Sequence, residues 1–397
     1  MFKRIYIGAI EPYMLYGHGA WGNRLHLKTV DRILNGIQRR PLIKMTRAFR
    51  TTPTDALQVI AGILLLTLKA VEVYSKFLVL TVKVNATVGK QELLWNEVEM
   101  KEDIYIRHYA DWIWIPFLVE GPVGEDIQIY INGSRIDNKI GSAMVVYCHG
   151  TEILHQTCRL EDTATVFQAE TKGKKMPLDY INETKLWHKF HVFSDSKSVL
   201  QSLASSKNTR QSILELKELY GVVPRDKWVK RHWVEAHVGV TGNESADCYA
   251  KFETNKDEVD FKCPKSKATI IRVIRNELVS LWQNHWDRSG NGKHTYKYIP
   301  NVGLKVKSFS LEITQFLTAH RRFPAYFYRF NLSREYSCSC CSFRSVEHFI
   351  KECHYTRDNR LKLSYDVHNP PSILTNKNNL IHIQKIIQIV NSLVPQT

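Results

Sequence analysis

The chain has 397 residues, 44% hydrophobic and 24% charged, which excludes a wholly disordered protein and allows two or three domains with at least one sizeable core. Fifty-five Lys and Arg against 39 Asp and Glu give a net charge of +16, a balance that suits a polyanionic partner. Cys148, Cys158, Cys248 and Cys263 are scattered, which excludes a disulfide scaffold and reads as buried thiols in a reducing compartment.

Residues 1–54 are basic: Lys3, Arg4, Arg24, Lys28, Arg32, Arg39, Arg40, Lys44, Arg47 and Arg50 face only Glu11 and Asp31. Tyr6, Tyr13, Tyr16 and Trp21 are interleaved. Such a segment is either a set of helices with solvated faces or a groove for a nucleic-acid backbone. Met1-Phe-Lys-Arg4 is not followed by the apolar core of a secretory leader, and the apolar run Val59 to Leu68 is too short to span a bilayer. A soluble protein of the nucleus or cytoplasm, neither secreted nor membrane-bound, is expected. Glu11-Pro12 marks a kink or helix boundary. Thr54-Asp55 reads as an N-cap that opens a helix through about Leu68. Phe77 to Val84 has strand-like composition, with a helix as the alternative in context.

Trp112 to Phe117 and Glu120 to Gly124 are turn-rich and read as a linker over 111–125, after a helical segment over 1–110. An α/β domain follows over 126–255. Strands are predicted near 127–133, 141–148 and 151–158, with Cys148-His-Gly-Thr151 turning between the last two. A helix around 163–181, kinked or broken at Pro177, comes next. A strand near 189–194, helices near 196–206 and 209–220, a strand near 228–234 and a helix near 242–253 complete the domain.

Three acids stand at the edges of these elements: Glu170, Asp195 and Asp247, with Asn132 where the first strand is expected to end. Hard cations such as Mg²⁺ prefer carboxylate oxygens, and acids far apart in sequence converge at the ends of adjacent strands. A pair of such ions activates water and stabilises the leaving oxygen in phosphodiester cleavage. Taken singly, each acid reads more simply as a surface charge.

The region 256–397 is expected to be helical. Ile270, Ile274, Leu278, Leu281 and Trp282 form a stripe on a helix over Lys265 to Trp286, and a second amphipathic helix spans Leu380 to Leu393. Between them Cys338, Cys340, His348 and Cys353 have the types and spacing of a tetrahedral zinc site, set against the simpler reading of free thiols in a loop. Cys341 is a spare thiol or an alternative ligand, and His354 another substitute. His320, alone, reads as structural.

Phe167-Gln-Ala-Glu170, Ser194-Asp-Ser196 and His237-Val-Gly-Val-Thr-Gly-Asn-Glu-Ser-Ala-Asp247 together resemble the ribonuclease H domain of non-LTR retrotransposon polyproteins. The resemblance implies a ribonuclease H-like mixed five-stranded sheet flanked by helices. Its implied activity is hydrolysis of the RNA strand of an RNA–DNA hybrid. Glu170, Asp195, Asp247 and the Asn132 position would hold Mg²⁺ or Mn²⁺, and His237 would assist proton transfer or product release. Recognition of RNA rests on its 2′-hydroxyl, near the first strand and around Ser196. Ile10 to Gly17, Ile37 to Arg40 and Ala48 to Gly62 resemble the thumb and connecting helices that follow a reverse-transcriptase palm. Gln315 to Tyr326 and Arg329 resemble the run before the family's carboxy-terminal zinc knuckle, which implies Zn²⁺ at 338–353. The Tyr-x-Asp-Asp polymerase turn is absent, so the chain is expected not to copy nucleic acid itself and to act beside the rest of a retroelement polyprotein.

Two departures bear on activity. Tyr130-Ile-Asn-Gly-Ser134 carries Asn132 where the family has its first catalytic Asp, and an amide brings one neutral oxygen and no charge. The helix after Glu170 contains Gly173, Lys174 and Pro177. Lys174 falls on the face that should be buried, where a charge must reach solvent or find a partner. The expectation is an impaired enzyme, with a catalytically inactive nucleic-acid-binding protein as the alternative.

Overall fold

The computed structural model describes residues 2–101, 114–119, 126–184, 189–224, 226–305, 309–320, 323–329, 338, 340 and 345–393. Most of the segment 111–125, read as a linker, lies outside the described residues, as does Cys341. The chain divides into two compact units, Leu94–Arg272 and a second built from Met1–Leu93 with Val273–Thr397.

In the first unit, β1 (Ile127–Ile136), β2 (Lys139–Cys148) and β3 (Thr151–Leu160) form an antiparallel meander. His149 and Gly150 both take positive φ (49° and 77°) in the tight turn between β2 and β3, which matches the right-handed twist of the two strands. Then come α1 (Val166–Glu183), β4 (Lys189–Ser194), α2 (Lys197–Ala204), α3 (Gln211–Gly221), β5 (Trp228–Trp233) and α4 (Thr241–Glu253). The sheet order is β3-β2-β1-β4-β5, with β4 parallel to β1 and β5 parallel to β4. The fold is therefore the mixed five-stranded α/β arrangement that the resemblance implies.

Alternation along β1 decides which helix covers which face. Ile127, Ile129 and Ile131 pack with Ala169, Met176 and Ile181 of α1 in the main core. Tyr130, on the other face, joins Val145, Phe193 and Ala246 of α4. Pairing with β2 carries the strand on to Ile136 instead of letting it end at Asn132. Gly133 and Ser134 pair with Ser142 and Gly141 of β2.

The helix α1 runs unbroken through Pro177, so the break allowed for there does not occur. Proline forfeits one N–H bond and crowds the carbonyl of Gly173, a cost of about 3 kcal/mol in an ordinary helix. Burial of Met176, Leu178 and Ile181 overrides that local preference. Gly173 is also no defect here. A Cβ at this position would stand 2.8 Å from the Ser142 Oγ, so the glycine lets the helix lie close on the sheet. The start of α1 is fixed by a capping box, in which Thr165 accepts from the Gln168 N–H and the Gln168 side chain accepts from Thr165. Gln168→Ala is expected to lower stability by about 1 kcal/mol, read by urea unfolding.

The second unit joins distant stretches of chain. Asp55 accepts from the Ser289 hydroxyl at 2.6 Å, and Arg275 lies 3.3 Å from the buried Glu72. The backbone N–H of Lys90 donates to Glu277 at 2.9 Å, and the hydroxyls of Thr51 and Tyr326 meet at 2.8 Å. The helix predicted from Thr54 to about Leu68 is two helices, Thr54–Ala61 and Leu66–Phe77. Gly62 ends the first at φ +58° and occupies a place where a Cβ would meet the Lys305 carbonyl oxygen at 2.6 Å. Pro53, not Thr54, takes the N-cap position. The ambiguous stretch after Phe77 is a π-helical turn, Leu78–Val82. Helix Lys267–Arg288 buries Ile274, Leu278, Trp282 and Trp286, and helix Lys377–Leu393 buries Ile383, Ile386, Ile387 and Val390. Among the described residues no single helix is long and apolar enough to cross a membrane.

Candidate active site and metal centre

The parallel pairing of β1 and β4 sets Ile131 opposite Ser194. The next residue of each strand, Asn132 and Asp195, therefore stand side by side. The Asn132 Nδ2 donates to the Asp195 Oδ2 at 3.4 Å, and the Asn132 Oδ1 accepts from the Gly133 N–H at 2.7 Å. Glu170, near the start of α1, accepts from the same Gly133 N–H at 2.9 Å. Gly133 permits this approach, since a Cβ there would stand 2.8 Å from the Glu170 nitrogen and 2.9 Å from the Ala169 Cβ. Gly133→Ala is accordingly expected to destabilise the domain by about 1–3 kcal/mol and to displace Glu170, measured by thermal melting.

Glu170 is 5% exposed. Burial pushes its carboxyl above the usual range, Lys174 and the Gly133 N–H pull it back, and Asp195 adds to the rise. Lys174, one turn along α1, is 1% exposed. Its ammonium donates to the Ser194 Oγ at 2.7 Å and lies 3.8 Å from the Glu170 Oε2. Burial lowers its proton affinity, and Glu170 and Asp195 raise it. The charge expected on the buried face is thus there and partnered.

Asp247 lies on α4 but is paired with Lys251 one turn on, at 2.6 Å. His237 is exposed in the loop before α4, at φ +58°. The structure therefore brings Asn132 and Asp195 into contact and sets Glu170 beside them. Asp247 keeps its own ion pair, and His237 stays in the loop. Residues that the motif comparison did not single out also belong here. Ser194 holds Lys174 and accepts from the Ser196 N–H at 3.1 Å, and the buried Asn243 donates to Asp195 at 3.4 Å. Asn243 lies inside the His237–Asp247 motif, and its place there was the available signal.

A pair of divalent ions needs several converging anionic oxygens. Asn132 contributes no charge, its oxygen is engaged by Gly133, and an ammonium already faces Glu170. As they stand, these residues do not fit a two-ion centre.

The second cluster fits its metal better. Cys338, Cys340, His348 and Cys353 place their ligand atoms within 4.8 Å of one another. Cys353 Sγ lies 3.9 Å from that of Cys338 and 3.7 Å from that of Cys340, and Cys340 Sγ is 3.3 Å from the His348 Nε2. Tetrahedral zinc, with Zn–S near 2.3 Å, sets its sulfurs about 3.8 Å apart, whereas a disulfide needs about 2.05 Å. Helix Val346–Lys351, capped by Ser345, carries His348, and the Cys353 N–H bonds to the His348 carbonyl. The His348 Nδ1 lies 3.5 Å from the exposed Glu352 and has no hydrogen-bond partner among the described residues. Burial and the neighbouring thiols push the Cys353 thiol up to about 12, so binding must displace its proton.

In the basic amino-terminal segment, Lys3 donates to the carbonyls of Ala61 and Gly62, and Arg39 to Thr54 and the Arg50 carbonyl. Arg4, Arg24, Lys28, Arg32, Arg40, Lys44, Arg47 and Arg50 are exposed, with Tyr13 and Tyr16 among them. Their side chains are open to a phosphate backbone.

Residues 124–254 match the family model described as RNase H. Over 93 residues the chain is 28% identical to the retrovirus-related Pol polyprotein from type-1 retrotransposable element R1 of Bradysia coprophila, a match that covers 22% of this chain and 9% of that polyprotein. A solved N-terminal RNase H domain from Mycobacterium tuberculosis, fused to maltose binding protein, is similar at 22% identity and a TM-score of 0.28, over 33% of this chain and 95% of that one. The family-model match and the similarity to the Pol polyprotein, with the ordered motifs, make residues 124–254 a domain of the RNase H family, in a chain related to the carboxy-terminal RNase H region of non-LTR retrotransposon polyproteins.

Proposed function

We propose that this domain engages RNA–DNA hybrids and hydrolyses the RNA strand as an RNase H-type ribonuclease, at a rate impaired by Asn132. The observation that carries the reading is the meeting of Asn132 and Asp195 at neighbouring parallel strands, with Glu170 anchored on Gly133. Divalent metal is the family's usual cofactor, and Glu170, Asp195 and Asp247 are the residues left to serve it. The exposed arginines and lysines of the amino-terminal segment and the net charge of +16 favour a phosphate backbone as partner, within or beside a retroelement polyprotein. The Cys338, Cys340, His348 and Cys353 cluster is proposed to hold one Zn²⁺ as the knuckle of that assembly.

The buried Lys174 favours a second reading, a domain that holds the hybrid without cutting it. Cleavage of an end-labelled hybrid in Mg²⁺ and separately in Mn²⁺, with Asp195→Asn alongside, decides between them. Slow cleavage that is lost in Asp195→Asn is the expected result. Salt-sensitive retention of the hybrid with no cleavage in either ion would replace the first reading by the second.

A further inference from the structure

Lys174 cannot be a surface lysine that happens to point inward. It is 1% exposed, and its ammonium has nowhere to go but the space between α1 and β4. There it donates to Ser194, whose hydroxyl in turn accepts from the backbone of Ser196, so the ammonium's partner brackets Asp195. On its other side it faces the Glu170 Oε2 at 3.8 Å. That oxygen is buried and has no hydrogen-bond donor among the described residues, and the Lys174 ammonium faces it. Isolated buried carboxylates are strongly disfavoured, and a unit positive charge a few ångströms away offsets much of that cost.

Asn132 complements the arrangement. Its amide N–H donates to Asp195 where a carboxylate would repel it. Asn132, Glu170, Asp195 and Lys174 together hold one net negative charge, whereas an acid at 132 and an apolar residue at 174 would leave three. Attraction for a dication falls with that charge.

We propose that Lys174 is a built-in cation that takes over the charge-neutralising role of a divalent ion, so that the carboxylate pair is stable without metal and binds Mg²⁺ or Mn²⁺ weakly. This rests on the preceding functional reading only in taking Glu170 and Asp195 as the metal-facing acids; it makes no use of cleavage. Three consequences distinguish it from a merely structural lysine. The natural chain keeps one melting temperature whether or not Mg²⁺ is added. Its hybrid binding does not require a divalent ion. Charge removal at 174 creates metal affinity.

The test is Mn²⁺ titration of the full zinc-loaded chain, followed by electron paramagnetic resonance, with Asp195→Asn as the subtraction control. The natural chain is expected to show Asp195-dependent binding no tighter than about 1 mM, and Lys174→Met to bind at least about tenfold tighter. Micromolar Asp195-dependent binding by the natural chain overturns the proposal. So does a Lys174→Met chain that melts normally and binds no tighter. If Lys174→Met does not fold, the titration of the natural chain still decides. Glu170→Gln/Lys174→Met, which removes both buried charges together, is expected to regain the fold. An inactive natural chain in the hybrid-cleavage assay would count against the ribonuclease reading and leave this one standing.

Discussion

Asn132→Asp is expected to raise hybrid cleavage in Mg²⁺ by on the order of 100-fold. The substitution replaces a neutral oxygen tied to the Gly133 N–H by a charged one beside Asp195 and Glu170. An added unit charge at ion-contact distance, in a site of intermediate polarity, lowers the energy of a bound dication by about 3 kcal/mol, and each 1.36 kcal/mol is about tenfold in rate. The gain comes with a cost in the metal-free protein. The Asn132 donor to Asp195 becomes a like charge, so melting temperature is expected to fall without Mg²⁺ and to recover on its addition. Single-turnover cleavage and melting curves with and without Mg²⁺ check both halves. Combining the change with Lys174→Met is expected to exceed either alone, because the two act on one charge cluster. Cleavage unchanged in a folded Asn132→Asp chain would show that the missing carboxylate is not what limits the reaction.

Removal of zinc is expected to have the largest effect on stability. Cys353 is fully buried, and its thiol stands within 3.9 Å of two others. Three such thiols around one imidazole are poorly placed without a cation to receive their electron pairs. Structural zinc contributes about 10–16 kcal/mol in isolated zinc-finger peptides, and a part of that is expected here, where Phe349, Ile350 and Val346 share the packing. Cys353→Ser, or a strong chelator, is expected to reduce zinc from about one per chain to near zero. Proteolysis within residues 338–360 should then become rapid. Elemental analysis with limited proteolysis reads both. Because the thiols must lose protons to bind, zinc retention is expected to fall as pH is lowered. A chain that carries no zinc as purified and resists proteolysis equally with chelator would set the zinc reading aside.

The alternating strands and the motif-bearing acids were legible in the sequence because each follows from local pattern. Ile127, Ile129 and Ile131 mark a strand by period, and β4 was bounded at 189–194 as observed. What the sequence misrepresented was decided by tertiary contact. Pro177 and Gly173 count against a helix by propensity, yet the closeness of α1 to Ser142 makes one acceptable and the other necessary. The break at Gly62 depends on Lys305, more than two hundred residues away. At the site, the acids were named from their motifs, but the ion pair that occupies Asp247 and the amide that binds Asp195 depend on rotamers no spacing encodes. Lys174 was visible only as a conflict between charge and face, and the structure resolves the conflict by supplying its partners.

The second unit draws on residues that flank the RNase H-bearing unit in the chain. On a ribosome, Asp55 and Glu72 are synthesised roughly two hundred residues before Ser289 and Arg275, the groups they bond. The unit containing residues 94–272 has all of its own strands and helices by then and can close first. The earlier segment, with its apolar helices Thr54–Ala61 and Leu66–Phe77, must wait incompletely covered through that interval, at elongation rates of about 5–20 residues per second. Nascent chains stalled far enough past residue 272 for that residue to clear the ribosome are therefore expected to display a folded first unit on a chaperone-dependent stem, and a clean cut between the two units by gene truncation leaves the other without half of its chain.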